Sequence, residues 1–114
     1  VGSPAYMAPE SITGNLYSEG SEIWSLGTIY YEMLQGRSFV EGKEVMEAIM
    51  QIKRRGPYAP DGVSEFSKRI IRECMALRPT ERIRVDDLLR LLNDRINGRQ
   101  EVPSQQNIQQ PQSS

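Results

Sequence analysis

Val1-Gly2-Ser3-Pro4-Ala5-Tyr6-Met7-Ala8-Pro9-Glu10 opens the chain. Gly2, Pro4 and Pro9 make this a stiff, irregular loop, because proline fixes its own φ and removes a donor while glycine lets another backbone approach closely. Taken alone, Ala8-Pro9-Glu10 also fits an ordinary turn ahead of a helix. The neighbouring residues narrow the choice. Ser21-Glu22-Ile23-Trp24-Ser25-Leu26-Gly27 begins a segment, 21–35, in which Ile23, Trp24, Leu26, Ile29, Tyr30, Met33 and Leu34 fall on more than one helical face. That pattern predicts a helix buried on most sides. Gly36 supplies its left-handed stop.

The remaining punctuation predicts more helices and no alternating strand. A short turn of helix after Glu10 reaches Ile12 and is broken by Thr13-Gly14-Asn15. Over 41–54, Val45, Met46, Ile49, Met50 and Ile52 keep a helical period until Gly56-Pro57. Ser64 is a good N-cap for a helix carrying Phe66, Ile70, Ile71, Cys74, Met75 and Leu77 inward, with Pro79 as its limit. The last helix spans 85–97, with Asp86 and Asp87 in the first turn, where acids complement the helix dipole. Beyond it the Gln-, Pro- and Ser-rich stretch 98–114 has too little apolar content to offset its ordering entropy, and is expected to be a disordered tail.

Composition excludes several functions. The 114 residues carry 14 basic and 15 acidic side chains without a long run of one sign, so a general nucleic-acid or membrane surface is not expected. The chain has no histidine and one cysteine, Cys74, which rules out His-based triads, Cys/His zinc sites and an internal disulfide within it. A lone thiol fits a reducing, intracellular and cytoplasmic setting. No apolar run approaches the length of a membrane span. Trp24, Tyr30 and Tyr31 on an apolar helix read as core rather than as a stacking platform. Lys53-Arg54-Arg55 reads as charge at a helix C-terminus, with a phosphate or nuclear-import patch as the alternative.

The decapeptide, with its pattern Gly-Ser-x-x-Tyr-Met-Ala-Pro-Glu, resembles the end of the activation segment of eukaryotic protein kinases. Two further stretches resemble that family in the same order. Ser21 to Gly27 is similar to the start of its hydrophobic helix F, usually Ser-Asp-Ile-Trp-Ser-Leu-Gly, and Leu77-Arg78-Pro79-Thr80-Glu81-Arg82 is similar to its Asp-Pro-x-x-Arg. The resemblance covers roughly residues 1–96 and implies a mainly α fold: the lower half of the kinase C-lobe (helices EF, F, G, H and I), an incomplete domain over 1–97. In the family a Gly-rich loop, a strand lysine, a catalytic aspartate and a metal-binding Asp-Phe-Gly all precede Ala-Pro-Glu. The chain therefore reads as a fragment that starts after those residues.

The resemblance also implies roles. Gly2, Ser3 and Pro4 would shape the loop that receives the protein substrate, with Ser3 at the position whose hydroxyl contacts catalytic residues outside this chain. Tyr6, Ala8, Pro9 and Trp24 would support that loop. Glu10 would form a buried ion pair with Arg82. Glu22 stands where the family has an aspartate that accepts hydrogen bonds from the catalytic loop. The extra methylene puts that geometry in question, and the helix dipole alone also favours an acid there. Arg78 replaces the usual aspartate, and Arg84 stands where a Ser or Thr often caps the last helix.

Gly2-Ser3 and Tyr6-Met7 resemble the serine/threonine group, since tyrosine kinases usually carry Lys-Trp before Met-Ala-Pro-Glu. The implied activity is transfer of the ATP γ-phosphoryl group, with Mg2+, to Ser or Thr of protein substrates. Catalytic, ATP and metal ligands would all lie outside this chain, which is then inactive alone. The alternative is a non-catalytic kinase remnant that binds a partner through the helix G region; the oligomeric state stays open.

Overall fold

In this computed structural model, residues 4–40, 44–55 and 59–98 are described. Expectations resting on Gly2, Ser3, the start of the 41–54 helix, Gly56-Pro57 and the Gln-rich stretch 99–114 lie outside those residues. The described chain is mainly α. After a 3-10 turn at Pro4–Tyr6 come α1 (Pro9–Gly14), α2 (Glu19–Gln35), α3 (Val45–Arg55) and α4 (Glu65–Cys74), then a 3-10 turn at Pro79–Glu81 and α5 (Val85–Ile96).

Local chemistry explains the boundaries. Pro9 occupies the first turn of α1, where its missing N–H has no intrahelical partner to lose. Helix α2 begins at Glu19, ahead of the expected position 21, because Ser18 and Ser21 cap each other. The Ser21 N–H donates to the Ser18 hydroxyl at 3.4 Å and the Ser18 N–H to the Ser21 hydroxyl at 3.0 Å. At the other end Gly36, at φ 77°, takes the left-handed conformation and returns its N–H to the Glu32 carbonyl at 2.8 Å. Ser64 caps α4 by accepting from the Ser67 N–H at 3.1 Å.

The described residues up to Arg84 form one compact unit and those from Val85 onward another. In the first, α2 lies against α4 and also meets both 3-10 turns. Ile23, Trp24, Tyr31, Ile70, Ile71, Cys74 and Met75 are buried. Each large apolar side chain among them contributes about 1.5–3 kcal/mol. Tyr31 and Phe39 meet edge to face at 5.6 Å between ring centroids, and the Tyr30 hydroxyl pairs with that of Ser67 at 2.9 Å. Helix α3 buries Ala48, Ile49 and Ile52 but leaves Met46 and Met50 exposed. In the second unit, α5 has Asp86 and Asp87 in its first turn and an exposed Arg90–Asp87 pair at 2.8 Å.

One expectation needs correction. Helix α2 is not buried on most sides: Leu26 is 47% exposed, Ile29 45% and Met33 77%. With Glu22 they recur at helical spacing along one face, and no described residue covers it. Apolar character records a preference for burial but does not supply the covering surface. The 114-residue chain is therefore expected to enhance the fluorescence of a hydrophobic dye, and a variant with serine at positions 26, 29 and 33 to lose most of that signal. Equal dye binding by the two would contradict this reading of the face.

Candidate functional site

The opening loop is fastened to the core through Glu10, in the first turn of α1. Arg82, 72 positions away, sends Nη1 to Glu10 Oε2 at 2.8 Å and Nη2 to Glu10 Oε1 at 2.9 Å. A guanidinium and a carboxylate match as a two-pronged fork, which fixes orientation as well as distance. The remaining Arg82 donors are satisfied by backbone: Nε by the Ala76 carbonyl at 2.8 Å, Nη1 by Gly20 at 2.9 Å and Nη2 by Leu77 at 3.0 Å. The guanidinium also lies 5.0 Å from the centre of the buried Trp24 ring.

Arg82 can reach all these groups because its backbone leaves the Pro79–Glu81 turn in an extended conformation. The turn is held by the Ile83 N–H donating to the Glu73 carbonyl at 2.9 Å. Glycine at position 20 is needed for the approach, since a Cβ there would stand 2.9 Å from the Pro79 carbonyl oxygen. Burial pushes the Glu10 carboxyl up, but the Arg82 hydrogen bonds, a backbone N–H, the Arg82 charge and the Ser21 hydroxyl together hold it below the ordinary carboxylate value. Glu10 is thus ionised at neutral pH.

The loop itself runs along α2. Pro4 opens the 3-10 turn, Tyr6 closes it, and Ala8 is buried beside the start of α1. The Ser25 hydroxyl donates to the Tyr6 carbonyl at 2.6 Å, the Tyr6 hydroxyl donates to Glu32 Oε1 at 2.6 Å, and the Ser21 hydroxyl donates to Glu10 Oε2 at 3.0 Å. The hydrogen bond to Glu32, its negative charge and a little burial raise the Tyr6 phenol above its ordinary value, so it remains a donor through neutral pH.

Tyr6, Tyr17, Ser18, Glu22 and Ser25 line a cleft of about 350 Å³ between the loop and the N-terminal half of α2. Glu22 is exposed, and its carboxylate makes no hydrogen bond or ion pair with a described residue. The structure thus brings Tyr6, Ala8, Pro9, Glu10, Trp24 and Arg82 together, and leaves Glu22 at the cleft wall. Gly2 and Ser3 lie outside the described residues.

Ser21, Ser25 and Glu32 do not stand out in the sequence as site residues, yet a signal is there. With Thr28 they recur at spacings of four, three and four along a helix rich in apolar residues, which is a polar line down one side of it. Cys74 is buried. Burial and then the Glu73 charge push its thiol up to about 12, so it is an inert core group rather than a nucleophile. Among the described residues no group of three His, Cys, Asp or Glu could hold a metal ion, and no helix is long and apolar enough to cross a membrane.

The sequence profile of the protein kinase domain matches residues 1–91. The chain belongs to the protein kinase family. Its relatives include serine/threonine-protein kinase apg-1 of Neurospora crassa, 35% identical over 91 residues, which cover 76% of this chain and 9% of that protein. Protein kinase C-like 1 of Caenorhabditis elegans is 34% identical over 82 residues, covering 72% of this chain and 12% of the relative. Human protein kinase C delta type is 34% identical over 84 residues, covering 74% and 12%. The kinase chain thus spans roughly a tenth of the length of these relatives.

Proposed function

We propose that this chain is the substrate-docking and scaffold part of a serine/threonine protein kinase C-lobe, and that the protein carrying it transfers the γ-phosphoryl group of ATP to Ser or Thr of protein substrates inside the cell. The observation that carries the proposal is the Glu10–Arg82 fork, which ties the 4–10 loop to the helical core with every Arg82 donor used. In such an enzyme the rate comes from positioning and charge stabilisation, so a rigidly held docking loop is a functional part even without a reacting group of its own. Gly2, Ser3 and Pro4 would form the acceptor edge, and Glu22 would accept hydrogen bonds from a catalytic loop seated in the adjoining cleft. ATP and magnesium enter through the family alone.

The test compares the 114-residue chain with the full-length protein that carries it, each incubated with labelled ATP, magnesium and a generic basic protein substrate. Label should appear on Ser or Thr with the full-length protein and stay at background with the chain alone. Transfer by the isolated chain, or phosphotyrosine as the only product, would sink the proposal. A second reading, a non-catalytic remnant that binds proteins near α3, is favoured by Glu22 in place of aspartate and by exposed Met46 and Met50. Upstream codons decide between them: an in-frame His-Arg-Asp followed by Asp-Phe-Gly supports the enzyme, and lost aspartates support the remnant.

A further inference from the structure

Helix α3 sorts its apolar residues by chemistry. Ala48, Ile49 and Ile52 are buried, whereas the two large apolar side chains that it leaves exposed are both methionine: Met46 and Met50, each 48% exposed. They stand at i and i+4, so the two thioethers are neighbours on one face of the helix. Met75, at 0% exposure, keeps its sulfur inside the core. Leucine would fill positions 46 and 50 with a similar volume. What methionine adds there is a polarizable sulfur that water-borne oxidants can reach.

We propose that Met46 and Met50 form a reversible oxidation site on the outer face of α3, with hydrogen peroxide as the oxidant and methionine sulfoxide reductases as the agents of return. In the forward step sulfur attacks one peroxide oxygen. An S–O bond forms, the O–O bond breaks, sulfur gives up two electrons and the other oxygen leaves as water. In the return step reductase thiols supply two electrons and two protons, and the sulfoxide oxygen leaves as water. The sulfoxide is polar, while each of these side chains is only about half exposed. The product is therefore drawn out toward water, and the packing of its buried half is loosened. At position 50 that pull has a direction: Lys53 and Arg54, both exposed, stand three and four residues on, within side-chain reach of a sulfoxide oxygen. Oxidation thus replaces an apolar outer face with a polar one and weakens α3, and reduction restores both. Exposure and thioether chemistry carry this site independently of the kinase reading.

The experiment treats the full-length protein that carries this chain with hydrogen peroxide and maps sulfoxide by mass spectrometry of its peptides. Met46 and Met50 should oxidise about tenfold faster than Met75, because reactivity follows exposure. Amide exchange across 45–55 should then quicken about threefold, as a locally weakened helix opens more often. Treatment with both reductases, one for each sulfoxide epimer, should return exchange to its starting rate. The double variant Met46→Leu, Met50→Leu keeps the volume and should show the same exchange before and after peroxide. Oxidation of Met46 and Met50 no faster than that of Met75 overturns the site. Unchanged exchange across 45–55 in the oxidised wild type, an equal rise in the leucine variant, or no recovery with the reductases overturns its action as a switch on α3.

Discussion

Arg82→Ala is expected to cost about 3–5 kcal/mol of folding stability, as when one partner is taken from a buried ion pair. That is a large share of the about 5–15 kcal/mol that holds an ordinary domain folded. The magnitude reflects the groups left behind. The Arg82 side chain is fully buried and that of Glu10 is 13% exposed. Truncation therefore strands a carboxylate with one remaining side-chain donor, the Ser21 hydroxyl. It also orphans the carbonyls of Gly20, Ala76 and Leu77 as acceptors for this side chain. Arg82→Lys should recover only part of the loss, because a single ammonium cannot present a fork to two oxygens and three carbonyls at once. Trp24, the only tryptophan, lies 5.0 Å from the guanidinium and reports the change directly in denaturant unfolding followed by fluorescence. A loss below about 1 kcal/mol would place this pair in the class of ordinary surface bridges.

The same pair sets a pH dependence. The Glu10 carboxyl is held below its unfolded value, so its contribution is fully present above about pH 4.3, the ordinary glutamate value. It is lost as pH falls through the lower folded value, because the unfolded state then takes up the proton first. In Glu10→Gln the midpoint of denaturation should be lower at neutral pH and fall less steeply in acid than in the wild type. An unchanged acid slope would show that other carboxylates, not Glu10, govern acid unfolding.

How much of this is legible in the sequence depends on the kind of signal. Helices are legible where chemistry is local: Ser64 is a short acceptor at the start of a periodic run, and Gly36 tolerates the positive φ that stops α2. The start of α2 is harder to place because its cap is a reciprocal serine pair, Ser18 with Ser21, rather than the Ser-to-Glu pattern that advertises itself. Glu10 and Arg82 carry no mark of one another across 72 positions, and family resemblance alone links them in sequence. The exposed face at Leu26, Ile29 and Met33 does not follow from periodicity, which reports which side of a helix is apolar and not what lies over it. Glu32 escapes notice because an acid late in a long, largely apolar helix looks like solvated surface until Tyr6 is seen to reach it.

Gly27→Ala is the second large effect, and its sign is set by competition. In an isolated helix the change would be favourable by about 1 kcal/mol, since alanine loses less entropy than glycine. Here α2 crosses α4 at this residue, and an added Cβ would stand 2.8 Å from the Cβ of Cys74 and 2.8 Å from Cγ of Met75. Met75 can turn part of its side chain aside, but Cys74 Cβ is bonded to the α4 backbone and moves only if the helix moves. Overpacking of that kind costs about 1–3 kcal/mol, which outweighs the propensity gain. The net result should be a destabilised chain, and Gly27→Val should be worse because a branched side chain meets the same fixed atom with more bulk. Cys74→Ala should give no rescue, since alanine keeps the offending Cβ, whereas Cys74→Gly in the Gly27→Ala background should recover part of the loss despite its own helix penalty. Stabilisation by Gly27→Ala, or rescue by Cys74→Ala, would mean that the two helices separate more easily than a close-packed crossing allows.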